Sequence, residues 1–322
     1  MNHLKTRNIA PLFALVLIAC SATDSADDQP AADMASETVT EGQVQNQDQP
    51  VASGSSADGS CADVTWHGRE LAEPGVLTVP VSVGGEIVPM QVDTGADYGG
   101  LSGTADDWPG LAFERDEGTQ RDVLENGDFS VAGRDLNKTD LALYGGERNE
   151  GSAGTIGYEN LKGGIWLLSQ SSGELCHLDP NDPRMGQASF IDTPIVMNKQ
   201  MLNISVDGEP LDGFFFDTGA LFSTTSSEVW SGLVDPAAES TELEVPSWGN
   251  MITIIGKPIK GSLVIGDQTI DDAVIFQDAD RSFFGNENTP EGMIGLIGMN
   301  AVAGRDIIFD LRDGQERFGV MP

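Results

Sequence analysis

Histidine and cysteine are scarce in this chain, with three of each among 322 residues. His3, His67 and His177, together with Cys20, Cys61 and Cys176, do not supply the ligand number and spacing that a zinc or iron site requires. Neither a metal nor a cofactor is therefore expected, and catalysis, if present, falls to carboxylates. Basic residues are also few: 17 Lys and Arg stand against 51 Asp and Glu, a formal net charge of -34. That charge repels phosphate backbones and argues against nucleic acid as a partner. A hydrophobic run long enough to span a bilayer is missing too. The apolar stretch from Ile9 to Ala19, preceded by Lys5 and Arg7, is too short for a permanent span but has the form of a signal-peptide core.

Leu17-Ile18-Ala19-Cys20 resembles the bacterial lipobox, whose cleavage before the cysteine would leave Cys20 as a lipidated N-terminus; an ordinary secretory signal is the alternative. Ser21 at the next position resembles lipoproteins sent to the outer membrane of Gram-negative bacteria, where the protein would face the periplasm or the cell surface. From Ser21 to Ser60 the chain has no Lys or Arg and almost no large apolar residue, so it cannot bury enough surface to fold. It reads as an acidic, disordered tether or an inert linker. Cys61 and Cys176 are then the cysteines left in an oxidising compartment, and a disulfide between them is expected, with two free thiols as the alternative. His67 and His177 read as ordinary surface or strand-end residues, and Trp166 as packing.

The chain does contain one tetrapeptide twice. Asp93-Thr94-Gly95-Ala96 and Asp217-Thr218-Gly219-Ala220 each end a strand-like apolar run. The similarity extends around them. Leu77 to Val83, a Gly84-Gly85 turn and Glu86 to Val92 form a predicted hairpin leading into Asp93; Met201 to Val206, an Asp207-Gly208 turn and Glu209 to Phe216 repeat it into Asp217. Further on, Phe129 to Gly133 and Ser262 to Gly266 open second hairpins, Thr155-Ile156-Gly157 matches Leu296-Ile297-Gly298, and Ile165 to Leu168 and Ile307 to Leu311 read as strands that close each half. The pattern is all-β, each half looking like a small six-stranded-type barrel. Asp179 to Pro183 reads as a linker. The expected division is a signal peptide at 1–19, a tether at 20–62, an N-terminal lobe at 63–180 and a C-terminal lobe at 181–322.

Taken together, these motifs resemble the retropepsin-like aspartic peptidases, and their duplication in one chain resembles the bilobal pepsin-like arrangement. The resemblance covers about Leu77 to Pro322. It implies an acid protease fold, two similar lobes related by pseudo-twofold symmetry, and an endopeptidase acting as a monomer on peptide or unfolded protein substrates. It also implies that Asp93 and Asp217 form a catalytic dyad, with Thr94 and Thr218 interlocking beneath the carboxylates and Gly95 and Gly219 permitting a tight loop through φ > 0 and close approach. Two carboxylates held ~3 Å apart cannot both ionise, so they share a proton. The ionised one would activate water, while the protonated one would bind the scissile carbonyl and later supply a proton to the leaving nitrogen. A catalytically inactive peptide-binding protein on the same scaffold is the alternative.

Ala96 and Ala220 make both loops resemble the retroviral form, and the missing hydroxyls predict a pH optimum somewhat above that of pepsin. Asp97 matches a residue that binds substrate backbone in retroviral enzymes, although Leu221 holds the matching place in the second half. Gly99-Gly100 departs from the small hydroxyl residue expected after the motif, which Ser223 keeps. Segments near Asn126-Gly127 and Ile255-Gly256-Lys257 are the candidates for a flap closing over substrate.

Overall fold

The computed structural model describes residues 60–67, 76–118, 120–126, 128–138, 141–145, 151–247, 250–278, 284 and 292–322. The expected signal peptide, Cys20 and the tether up to 59 lie outside the described residues, as does Gly127.

Alternation builds the central hairpins. In Val76–Val83 the residues Leu77, Val79, Val81 and Val83 are at most 1% exposed, the period expected of a strand with one face in the core. This strand pairs antiparallel with Glu86–Val92, from Thr78 opposite Gln91 to Val83 opposite Glu86. The repeat pairs Lys199–Val206 with Glu209–Phe216, with a register shift between Leu202 and Ile204. Both turns hold two consecutive residues at positive φ, Gly84 and Gly85 at 60° and 85° and Asp207 and Gly208 at 52° and 81°. Such pairs match the twist of the flanking strands.

Each hairpin sits inside a ten-stranded sheet. The first runs in the order Ala112–Asp116, Arg121–Asn126, Ala142–Tyr144, Gly100–Ser102, Gly154–Ile156, Glu86–Val92, Val76–Val83, Phe129–Val131 and Arg134–Asp135, with Thr65–His67 paired to Val76–Val83. The second runs Thr241–Ser247, Asn250–Pro258, Val274–Asp278, Thr224–Thr225, Gly295–Ile297, Glu209–Phe216, Lys199–Val206, Leu263–Ile265 and Gln268–Ile270, with Ile195–Val196 paired to Lys199–Val206. Strand for strand, the two orders match. The molecule is mostly β, with two large sheets of similar size, but neither closes into a barrel among the described residues, because the terminal strands of each sheet do not pair with each other.

The strands expected to close each half pair across the halves instead. Ile165–Ser169 and Ile307–Asp310 run antiparallel, with Leu167 opposite Ile308, at the centre of a six-stranded sheet. Glu174–His177 and Cys61–Asp63 lie on one side of that pair; Arg317–Val320 and Ser189–Asp192 lie on the other. Both central strands are buried along their whole length, which requires a neighbour on each side. The residues on either side of the expected boundary at 180 therefore share one sheet, and the segment after 180 contains the short helical turn Pro183–Gly186. Cys61 and Ala62 fall in a strand rather than in the tether: Cys61 is opposite Cys176, and a disulfide joins them across a separation of 115 residues. Closing a loop of that size stabilises by roughly 4–5 kcal/mol in the chain-entropy view. His177 is half-buried, its ring edge-on to Trp166 with centroids 5.1 Å apart.

One apolar core runs through both halves, from Leu77 and Val92 to Phe216, Phe309 and Phe318. The Phe216 and Phe318 rings are 4.5 Å apart. Asp310 is fully buried beside it and accepts hydrogen bonds from Arg312 Nε at 2.8 Å, Arg312 Nη2 at 2.7 Å and Arg317 Nη2 at 2.9 Å. Arg317 also stands 4.4 Å over the Phe190 ring. Burial pushes the Asp310 carboxyl up, but the two guanidinium groups outweigh it, and the net shift is downward.

Candidate active site

Parallel pairing brings the Ile-Gly steps against the repeated loops. Ile156 is opposite Val92, and Asp93 N–H donates to Ile156 O at 3.0 Å; in the repeat Phe216 is opposite Ile297, and Asp217 N–H donates to Ile297 O at 3.0 Å. Gly157 and Gly298 are required for this approach, not for unusual angles. A Cβ on Gly157 would lie 2.5 Å from the Tyr98 carbonyl carbon, and one on Gly298 would lie 2.7 Å from Ala220 O.

The two loops then interlock. Thr94 N–H donates to Thr218 Oγ1 at 3.0 Å, and Thr218 N–H returns the bond to Thr94 Oγ1 at 3.0 Å. Each hydroxyl reaches on to the opposite chain, Thr94 Oγ1 to Phe216 O at 3.2 Å and Thr218 Oγ1 to Val92 O at 2.8 Å. Both threonines are buried, so this network fixes one half of the molecule against the other.

Above it, each glycine backs onto the opposite carboxyl. A Cβ on Gly95 would lie 2.3 Å from Asp217 Cγ, and one on Gly219 would lie 2.4 Å from Asp93 Cγ. Neither glycine has left-handed backbone; close approach, and not the φ > 0 expected from the sequence, explains the residue type. Asp217 Oδ1 accepts from Gly219 N–H at 2.7 Å and Gly95 N–H at 3.2 Å, whereas Asp93 Oδ1 accepts from Ala96 N–H at 2.9 Å. The Asp93 and Asp217 carboxyls stand close enough that each acts on the other's ionisation. Burial first, then the charge of Asp217, raises the Asp93 carboxyl well above the ordinary carboxylate range; burial raises Asp217 as well, against the pull of its backbone donors. Two carboxyls that resist simultaneous ionisation hold a proton between them.

Asp97 lies on the same loop, but its carboxylate is ion-paired to Lys199 from the second half. Behind Gly99 and Gly100 stands Tyr144, whose hydroxyl points to Gly99 O at 3.5 Å and whose ring lies under Arg121 at 5.5 Å. A Cβ on Gly100 would fall 1.7 Å from that ring, and one on Gly99, the counterpart of Ser223, 2.1 Å from Asn160 Oδ1, which explains the departure from a hydroxyl residue there. In the second half Ser223 N–H and Oγ–H donate to Asn300 Oδ1 at 2.7 and 2.8 Å, and Gly298 N–H donates to Ser223 Oγ at 3.1 Å. In the first half Gly157 N–H donates directly to Asn160 Oδ1 at 2.9 Å. Lys199, Tyr144, Asn160 and Asn300 were not singled out in the sequence. The two asparagines could have been found as the amide shortly after each Ile-Gly step; Lys199 had no local signal, because its partner is 102 residues away.

The flap candidates fall in strands that precede the second hairpin of each half. Asn126 ends the strand Arg121–Asn126, and Ile255, Gly256 and Lys257 lie within Asn250–Pro258. The hairpins to which they belong end with Asp116 opposite Arg121 and Ser247 opposite Asn250. Period-2 alternation in Ile252 and Ile254 is the signal that places Ile255 to Lys257 in a strand. Among the described residues, the side chains that converge as metal ligands would are Cys61, Glu174 and Cys176, and both sulfurs are oxidised in the disulfide. No protein-family model matches this chain, and no curated protein matches it.

Proposed function

We propose that this protein is an aspartic endopeptidase, and that its two matching sheets with their shared strands are the two lobes of an acid protease fold related by a pseudo-twofold axis. The observation that carries the reading is the paired backing of Gly95 on Asp217 and Gly219 on Asp93, which sets two mutually interacting carboxyls on interlocked loops. Asp217, with two backbone N–H donors, carries the negative charge; Asp93 carries the proton. A water held between them gives a proton to the charged carboxylate as it attacks the scissile carbonyl, whose oxygen is polarised by the protonated partner. A proton then passes from the pair to the leaving nitrogen. General acid–base transfer of this kind supplies about 10²- to 10⁴-fold, and fixed geometry the remainder. The raised Asp93 carboxyl extends upward the pH range over which the pair holds one proton.

Substrates are peptides or unfolded proteins. The chain acts as a monomer, because both aspartates belong to it. Export and lipidation at Cys20 follow from the leader, and incorporation of labelled palmitate, lost in Cys20→Ala, tests them. Activity is tested by incubating the mature protein with a denatured protein at acidic pH and mapping the peptides by mass. Pepstatin-sensitive cleavage that disappears in Asp93→Asn and in Asp217→Asn supports the reading; cleavage that persists in both overturns it.

A further inference from the structure

The dyad is flanked by a cation that belongs to neither loop. Lys199 opens the strand Lys199–Val206 of the second half, delivered there by the tight turn at Met197 and Asn198, both at positive φ. Its side chain is 15% exposed and crosses to pair with Asp97, four residues beyond Asp93. While burial pushes both dyad carboxyls up, Lys199 acts on both in the opposite direction. Other charges around the pair are displaced or matched. Arg121 stacks over the Tyr144 ring at 5.5 Å, and the Tyr144 phenol, raised chiefly by burial, also faces Asp97 and Asp93. Glu159 donates its N–H to Asp97 O at 3.1 Å, and its carboxylate faces Lys162 at 3.9 Å. The second loop continues through Ala220, Leu221, Phe222 and Ser223, none of which titrates in the working range.

Building on the peptidase reading, we propose that Lys199 is an electrostatic positioning residue of the dyad: a cation lent by the second half that stabilises the pair's one negative charge, restrained by Asp97, and so sets the acid edge of activity. The matching place to Asp97 in the second half is Leu221, so the charge pair exists on one side only. A simple cross-half staple would use the same contact, but the two roles differ in sign. If Lys199 sets the field, removing it makes the dyad harder to ionise, and removing Asp97 makes it easier. If the pair is a staple, the two removals do the same thing.

The test is the pH dependence of kcat/KM for the full mature chain and for Lys199→Met, Lys199→Arg and Asp97→Asn. We expect the acid limb to move up in K199M by on the order of one pH unit, to return to its original place in K199R, and to move down in D97N. Limbs that stay in place, or that move in the same direction in K199M and D97N, overturn the proposal. Should the wild-type protein cleave nothing, the peptidase reading fails on its own, and ¹³C titration of the Asp93 and Asp217 carboxyls still decides the role of Lys199. An upward shift in K199M supports it, and an unchanged titration overturns it.

Discussion

The two repeated loops begin alike and part company within seven residues. After Ala96 the first half continues Asp97, Tyr98, Gly99; after Ala220 the second continues Leu221, Phe222, Ser223. Gly99 leaves Asn160 to accept from Gly157 directly, whereas Ser223 stands as a relay between Gly298 and Asn300. The asparagine follows its Ile-Gly glycine by three positions in one half and by two in the other, so the distance to be bridged differs. In the shared sheet, Ser169 and Asp310 each stand six positions beyond a left-handed glycine, Gly163 and Gly304. One uses a hydroxyl to reach Asp306 at 2.9 Å; the other buries a charge between two arginines. What the halves retain without change is the interlock: Thr94 and Thr218 keep the same contacts on both sides and each glycine backs onto the opposite carboxyl, while the backbone donors to the two carboxyls differ. The threonine network is matched in the two halves, while its supports are built from different groups.

That comparison can be broken at several strengths. The largest effect is expected at the dyad, where Asp93→Asn and Asp217→Asn each lower kcat/KM by on the order of 10³-fold or more, and the double variant little further, because the two act as one unit. Next is Asp310→Asn, which leaves Arg312 and Arg317 uncompensated and should cost about 3 kcal/mol at neutral pH by chemical denaturation, far more than Ser169→Ala. Because the folded Asp310 carboxyl is lowered, its contribution is present above the unfolded value and is lost as pH falls through the folded one, so the gap between variant and wild type should narrow in acid.

Gly95→Ala and Gly219→Ala should each cost about 2–3 kcal/mol and remove activity together, since each methyl enters the opposite carboxyl. Unequal losses would show that the loops are not equivalent. A smaller and asymmetric pair follows from the supports. Gly99→Ser places its Cβ 2.1 Å from Asn160 Oδ1 and should cost about 1–3 kcal/mol. Ser223→Ala only unpairs the buried Gly298 N–H, since Asn300 Oδ1 keeps the backbone N–H of position 223, and should cost about 1–2 kcal/mol. The smallest is a gain. Asp93 is raised, so the stability it allows is full below the unfolded value and declines as pH rises through the folded one; Asp93→Asn should therefore raise Tm at neutral pH and leave it little changed in acid.

Much of this was legible in the chain. The duplicated tetrapeptide, the hairpins leading into it and the Ile-Gly steps are local patterns, and each half repeats them within ~100 residues, so periodicity and turn chemistry suffice to find them. The pairing of Cys61 with Cys176 was legible by elimination. At Ile255 to Lys257 the sequence suggests a surface turn because of Gly256, which instead serves strand packing against Phe276. The closing strands missed because nothing in Ile165 to Leu168 or Ile307 to Leu311 says which fully buried strand will be its neighbour.

Composition and pattern by themselves thus determined a β-rich chain in two related halves and the repeated tetrapeptide that holds the two aspartates of the proposed chemistry. Tertiary structure alone decided that the halves share a sheet through Leu167 and Ile308, that each loop glycine yields its space to the other loop's carboxyl, and that Lys199 reaches Asp97. The reason is range: hydrophobic period and turn residues act over a few positions, whereas these contacts join residues more than a hundred positions apart and exist only once the core has closed.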